Sequence, residues 1–224
     1  MIKHELFPTL IAEFHYDCHE EFKRTFYDRY SFHSNPDGNS SERTGHVDIH
    51  RDDSMSGFWS WVGDSLKKYI AELCVEDVHD LYIVKSWLMP TKTWHVPRHK
   101  HADAHLSFVY YVNLPPNSDA IYFESSSPNE LYHDMFGQNA VEWNRYNSRS
   151  WFFNPVEGGL FVFPSKTYHY TANPNSDTPP IPDTHSMIDL KNKRMAIAGD
   201  AVLTYKKNLP KAYGLMPIDN WKKV

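Results

Sequence analysis

From Leu81 to Tyr205 the chain is a succession of short aromatic and β-branched segments, each cut off by Pro, Gly, Asn or Ser. The segments are 81–84, 106–112, 120–123, 150–153, 160–163, 168–170 and 194–205. Such segments suit a pleated, half-buried surface and are too short to be buried helices. Many short strands with turn signals between them predict an antiparallel double-sheet barrel or jelly roll, mainly β within an α+β chain.

Two helices are expected before the strands. Phe22, Phe26 and Tyr30 repeat every four residues, which predicts a helix from about Cys18 with Asp17 at its N-cap. Phe58, Trp61, Val62, Leu66, Tyr69, Ile70 and Leu73 fall at helical spacing and predict a second helix over 54–73. Both apolar stripes are expected to pack on one sheet. The opening 6–11 reads as a short strand, and 34–42, rich in Asn, Ser, Gly and Pro, as a loop. At 224 residues the chain is expected to form one domain, with helical support over 1–79, a β core over 80–206 and a tail over 207–224.

Composition excludes several functions. Lys and Arg total 23 against 28 Asp and Glu, a net charge of −5, and no basic block marks a nucleic-acid surface. No apolar run approaches the ~20 residues of a membrane span, and the N-terminus lacks a signal-peptide pattern. Cys18 and Cys74 are far apart and outside any Cys-x-x-Cys spacing, so neither a disulfide framework nor a zinc ribbon is indicated. A cytoplasmic, reducing location is expected.

The chemistry concentrates in 99–112, which reads His-Lys-His-Ala-Asp-Ala-His-Leu-Ser-Phe-Val-Tyr-Tyr-Val. If it is extended, His99, His101, Asp103 and His105 project to one side. Imidazole with carboxylate is the donor mix that suits Fe(II). His-x-Asp alone is weak evidence, since it recurs at His46 and His50, where the acids are explained by a helix N-terminus. Two interruptions, 125–149 and 173–192, exceed ordinary hairpin loops and are candidate lids or surface insertions. The second follows His169 directly.

In order, His-x-His or His-x-Asp, then Ser107 to Tyr111 before Asn113, then Gly-Gly-Leu-Phe-Val-Phe-Pro-Ser from Gly158, His169, and Arg194-Met-Ala-Ile resemble the Fe(II)- and 2-oxoglutarate-dependent oxygenases. Within them the chain is most similar to the group whose motif reads His-x-His-Pro-Gly-Ser-x-x-Ser-Gly-Val-Tyr-Tyr-Val. The likeness extends to the N-terminal Leu-Phe-Pro-Thr followed by a helix.

The resemblance implies a double-stranded β-helix of cupin-like form, with Fe(II), 2-oxoglutarate and O2 meeting at its mouth and hydroxylation of a C–H bond as the commonest outcome. It implies His169 as the distal ligand and Arg194 as the guanidinium for the far carboxylate of 2-oxoglutarate, with Tyr111 and Ser107 adding hydroxyl contacts. The proximal pair stays open. His101 and Asp103 match the wider superfamily and bring a neutralising carboxylate; His99 and His101 match the nearer group. The expected ligand set is His101, Asp103 and His169, with His99 as the substitute, while His105 and His95 are expected outside it.

Two other functions compete. A cupin-type metal barrel without 2-oxoglutarate would have no need of Arg194. A non-enzymatic jelly-roll module would bind sugar or protein through Tyr132, Trp143, Tyr146 and Trp151. The primary substrate, a peptide or a small molecule, is not legible.

Overall fold

The computed structural model describes residues 1, 8–30, 32–33, 48–73, 75, 77–91, 96–125, 140–144, 146–173, 188–189, 194–207 and 214–223. In chain order the elements are β1 (Ala12–His15), α1 (His19–Tyr30), β2 (Phe32–His33), α2 (Ser56–Glu72), β3 (His79–Thr91), β4 (Leu106–Asn113), β5 (Ala120–Glu124), β6 (Ser150–Phe153), β7 (Gly159–Pro164), β8 (His169–Ala172), β9 (Ile188–Asp189) and β10 (Arg194–Tyr205).

A major sheet runs β1-β7-β4-β10-β3 and a minor sheet β6-β5-β8, while β2 pairs with β9. Every pairing is antiparallel. The architecture is the double-sheet jelly roll expected from the strand pattern, with two helices on one face of the major sheet.

Alternation along the strands builds two cores. From β4, Phe108, Tyr110 and Val112 point outward beneath the helices, where they meet Phe22, Phe26, Phe58, Val62 and Leu66. Tyr110 is fully buried at the centre of this layer, with Tyr16, Phe22, Phe58 and Trp61 rings around it. Phe22 stacks on Phe58 at 4.1 Å, joining α1 to α2. Aromatic pairs of this kind contribute about 0.5–1.5 kcal/mol each beyond their buried area. The opposite face of the same sheet supplies Tyr111, Phe161, Phe163 and Ala196 to a second core, which Ile121 and Phe123 of the minor sheet complete.

The observed boundaries depart from the expected ones at three places. β3 continues to Thr91 rather than ending at Val84. Lys85 and Ser86 break the apolar pattern, yet both have partners: Lys85 pairs with Asp200, and Ser86 Oγ accepts from the His50 amide. Pro90 is tolerated because β3 is an edge strand. The first strand is Ala12–His15 rather than 6–11, of which residues 6 and 7 lie outside the described residues. α2 starts at Ser56, after a 3-10 turn whose N-cap Asp52 accepts from the Ser54 amide.

Among the described residues no helix is long and apolar enough to cross a membrane. Residues 126–139, 174–187 and 190–193, which carry most of the two candidate lids, lie outside the described residues, as do His46, His95 and Tyr132.

Candidate active site

The two sheets enclose a cavity of about 420 Å³, lined by residues that include His99, His101, His169, Tyr111 and Arg194. His169 opens β8 in the minor sheet, and the segment before β4 lies antiparallel beside it. His99 N donates to His169 O at 3.0 Å and His169 N to His99 O at 2.9 Å. Further along the same edge, Thr171 N donates to Val96 O at 3.1 Å, and Val96 N to Thr171 Oγ1 at 2.8 Å. Residues 96–99 thus extend the minor sheet and set His99 against His169, while His101 N bonds Ser165 O just past β7, which brings a second loop histidine beside them.

The ligand atoms of His99, His101 and His169 all lie within 4.8 Å of one another. The His99 and His169 rings are 4.2 Å apart between centroids, and His101 is 5.2 Å from each. The tautomers follow from the partners. His99 Nδ1 faces Pro97 O at 2.7 Å and His169 Nδ1 faces Thr167 O at 3.0 Å. A carbonyl oxygen only accepts, so Nδ1 carries the proton in both and Nε2 has the lone pair to offer. Burial, aided by the neighbouring His99 and His101, pushes the His169 imidazole down to about 4 against the pull of the Thr167 carbonyl, so it is neutral at pH 7. A neutral imidazole is the ligating form.

Behind His101 lies a polar group that the sequence reading did not single out. His101 Nδ1 is 2.5 Å from Asp200 Oδ1, and Ser107 Oγ donates to the same oxygen at 2.6 Å. Lys85 Nζ sits 2.8 Å from Asp200 Oδ2. Asp200 is fully buried on β10 opposite Lys85 on β3. Its burial alone would raise its pKa, but hydrogen bonds from His101, Lys85 and Ser107 outweigh that and hold the carboxyl below its usual range. A signal existed: Asp200 is the one acid in 194–205, and Lys85 interrupts an apolar run.

The other predicted residues are distributed as follows. Arg194 is buried at the start of β10, its Nη2 3.4 Å from the Tyr111 hydroxyl on the adjacent strand β4. Burial pushes the Tyr111 phenol up although the Arg194 cation pulls it down, so the hydroxyl keeps its proton. On the inner face of β10, Ala196 and Ala198 separate Arg194 from Asp200 and keep that wall of the cavity open. Ser107 faces His101, Asp200 and Ser165 rather than Arg194.

Asp103 is not in the histidine group. It is exposed on a bend at the cavity rim, where the expected alternation from His99 to His105 breaks. His101 N still bonds Ser165 O, whereas His105 N bonds Ala201 O on the major sheet. Ser165 N in turn donates to His105 O, so both histidines pair with one residue, 102–104 are looped out between them as a bend, and the side chains fall out of phase. His105 is committed to the sheet, its Nδ1 accepting from Leu203 N at 2.9 Å. The structure therefore gathers His101 and His169 with His99, the substitute ligand of the sequence reading.

Comparison with known proteins fits this geometry. Residues 85–181 match the family model described as "Putative 2OG-Fe(II) oxygenase". No curated protein matches the chain. Among solved structures, a Pseudomonas putida prolyl-4-hydroxylase superposes with a TM-score of 0.50 at 13% identity, covering 87% of this chain and 92% of that one. The non-heme alpha ketoglutarate dependent epimerase SnoN from nogalamycin biosynthesis gives 0.51 at 11% identity, covering 90% and 81%. At these identities the likeness is one of fold.

A cluster of imidazoles suits Fe(II), and a buried guanidinium beside a phenol suits a dicarboxylate. The segment that carries His99, His101 and His169 is the one that matches the 2OG-Fe(II) oxygenase family model, and the surrounding fold is that of solved 2-oxoglutarate-dependent enzymes.

Proposed function

We propose that the protein is an oxygenase that hydroxylates an unactivated C–H bond of a peptide or small molecule, with O2 and 2-oxoglutarate consumed and succinate and CO2 released. The observation that carries the reading is the meeting, in one cavity, of three histidines and a buried arginine–tyrosine pair. His99, His101 and His169 would hold Fe(II), each through Nε2. When bound, Fe(II) supplies the O2 activation and oxidative power that no side chain here can provide.

The chain's own residues bind, orient and shield. Arg194 offers a planar fork to the far carboxylate of 2-oxoglutarate. The Tyr111 hydroxyl donates beside it. Ala196 and Ala198 leave room for the carbon chain, and Phe163, Ile121 and Met89 in the cavity wall keep water away. Asp103 sits at the rim, where it meets an arriving substrate rather than the metal.

Removing one partner of a buried charge pair costs ~2–5 kcal/mol. Arg194→Ala is therefore expected to weaken 2-oxoglutarate binding to the anaerobic Fe(II)-loaded protein roughly thirty- to several-thousand-fold. Unchanged affinity would overturn the assignment and favour the cupin-type reading without 2-oxoglutarate. The substrate is to be sought by screening peptides and metabolites for stimulated succinate release, with a product heavier by one oxygen as the expected result. A desaturated or epimerised product would refute hydroxylation while leaving the oxygenase chemistry in place.

A further inference from the structure

We infer that Asp200 is a positioning residue for the metal centre, delivering through His101 the negative charge that a centre of three neutral imidazoles lacks. The inference rests on the reading of His99, His101 and His169 as the ligands.

A divalent cation among imidazoles alone keeps its full charge in a semi-buried cavity, and that is costly without a nearby anion. Asp200 is the anion the fold provides. It is fully buried, and its Oδ1 accepts from His101 Nδ1 at 2.5 Å. A carboxylate cannot donate, so the proton stays on His101 Nδ1 and Nε2 turns to the cavity. A carboxylate at the back of a ligating imidazole fixes the ring and raises its basicity, and its loss typically costs 10–100-fold in metal affinity.

The residues around Asp200 set how much of its charge reaches His101. Ser107 Oγ donates to Oδ1 at 2.6 Å and is itself 2.9 Å from Ser165 Oγ, so one serine hydroxyl, backed by a second, helps hold the carboxylate. Lys85 Nζ lies 2.8 Å from Oδ2 and offsets part of the charge. The cation is anchored by register, because Lys85 pairs directly with Asp200 across β3 and β10. A bulge follows at Ala201, returning the next residues of β10 to the helix-side core. An ionic pair in a strand interior is otherwise hard to explain in this chain, where every neighbouring inner position of β10 is alanine or arginine. It lies directly behind a ligand, and that location gives it a purpose.

The test is anaerobic titration with Co(II) alone, read by affinity and by the visible absorption of the bound ion. Wild-type protein is expected to bind one Co(II) at the histidines. Failure to do so would overturn the ligand assignment of the proposed function, and this inference with it. Asp200→Asn keeps an oxygen able to accept from His101 Nδ1 and removes only the charge. Its expected result is Co(II) binding weaker by 10–100-fold with a shifted absorption band, partly restored in Asp200→Glu. Wild-type affinity and spectrum in Asp200→Asn would overturn the inference and leave the ligand assignment intact.

Lys85→Met gives an independent arm that does not depend on the folding of an Asp200 variant. Without the offsetting cation, Asp200 acts on His101 undiminished, and Co(II) should bind tighter by about threefold or more. Equal or weaker binding in Lys85→Met would contradict the inference, because a purely structural ion pair predicts no gain.

Discussion

At the scale of single residues, the centre is decided by which ring nitrogen carries a proton. Pro97 O, Thr167 O and the Asp200 carboxylate each take the Nδ1–H of one histidine, so three lone pairs are aimed by backbone and side-chain acceptors before any ligand arrives. Tyr111 and Arg194 are coupled in the same way, the hydroxyl 3.4 Å from the guanidinium. A single neutral hydrogen bond contributes about 0.5–1.5 kcal/mol. Tyr111→Phe should therefore weaken 2-oxoglutarate binding by roughly two- to twelvefold, well short of Arg194→Ala, when both are measured by the same titration. A loss in Tyr111→Phe as large as that in Arg194→Ala would mean that the phenol, not the guanidinium, anchors the cosubstrate.

At the scale of elements, the helices serve the site only by covering the back of the major sheet, and Asp52 joins them. Its Oδ1 accepts from the amide and hydroxyl of Ser54, at the turn leading into α2, and its Oδ2 from the Tyr30 hydroxyl and Arg29 Nε of α1. The Ser54 hydroxyl, more than the opposing burial, holds its carboxyl down at about 2, with Tyr30 and Arg29 adding to the effect.

A folded pKa below the unfolded value of ~3.9 means that the stabilisation is fully present above about pH 4 and is lost as pH falls through about 2. Asp52→Ala is expected to lower stability by about 1–2 kcal/mol at pH 7, the typical value of a lost cap. The gap from wild type should narrow in denaturant titrations at pH 3 and below. A gap that persists unchanged at pH 2 would show that packing around Asp52, not its charge, carries the effect.

Much of this architecture was legible in the sequence. The aromatic segments fixed strands β4 to β8 and β10 to within two residues, because each is short, sharply bounded and composed for a pleated surface. Phe22, Phe26 and Tyr30 marked the buried face of α1. The choice between His99 and Asp103 was not legible. Alternation places both on one face only if a single strand continues through His105, and the looping-out of 102–104 between two bonds to Ser165 is a tertiary event. The Lys85–Asp200 pair was visible as two isolated charges, but not as partners, since their pairing depends on the register of strands distant in sequence.

At the scale of the whole molecule, the fold divides its labour between two sheets. The major sheet carries Arg194, Tyr111 and the Asp200 group on its inner face and the helices on its outer face. The minor sheet, extended by residues 96–99, carries His99 and His169, and His101 follows on the loop that bonds Ser165. The proposed cosubstrate anchor and the proposed ligands His99 and His169 thus line facing walls of one cavity, and the site needs both sheets packed.

The central claim is that the ligands are three histidines, with Asp103 outside the set. It is tested most directly by anaerobic titration of Fe(II) and 2-oxoglutarate into wild type, His99→Ala and Asp103→Ala, following their charge-transfer absorbance. The band should form in wild type and Asp103→Ala and be lost in His99→Ala. Its absence from wild type, or its survival in His99→Ala with loss in Asp103→Ala, would contradict the account.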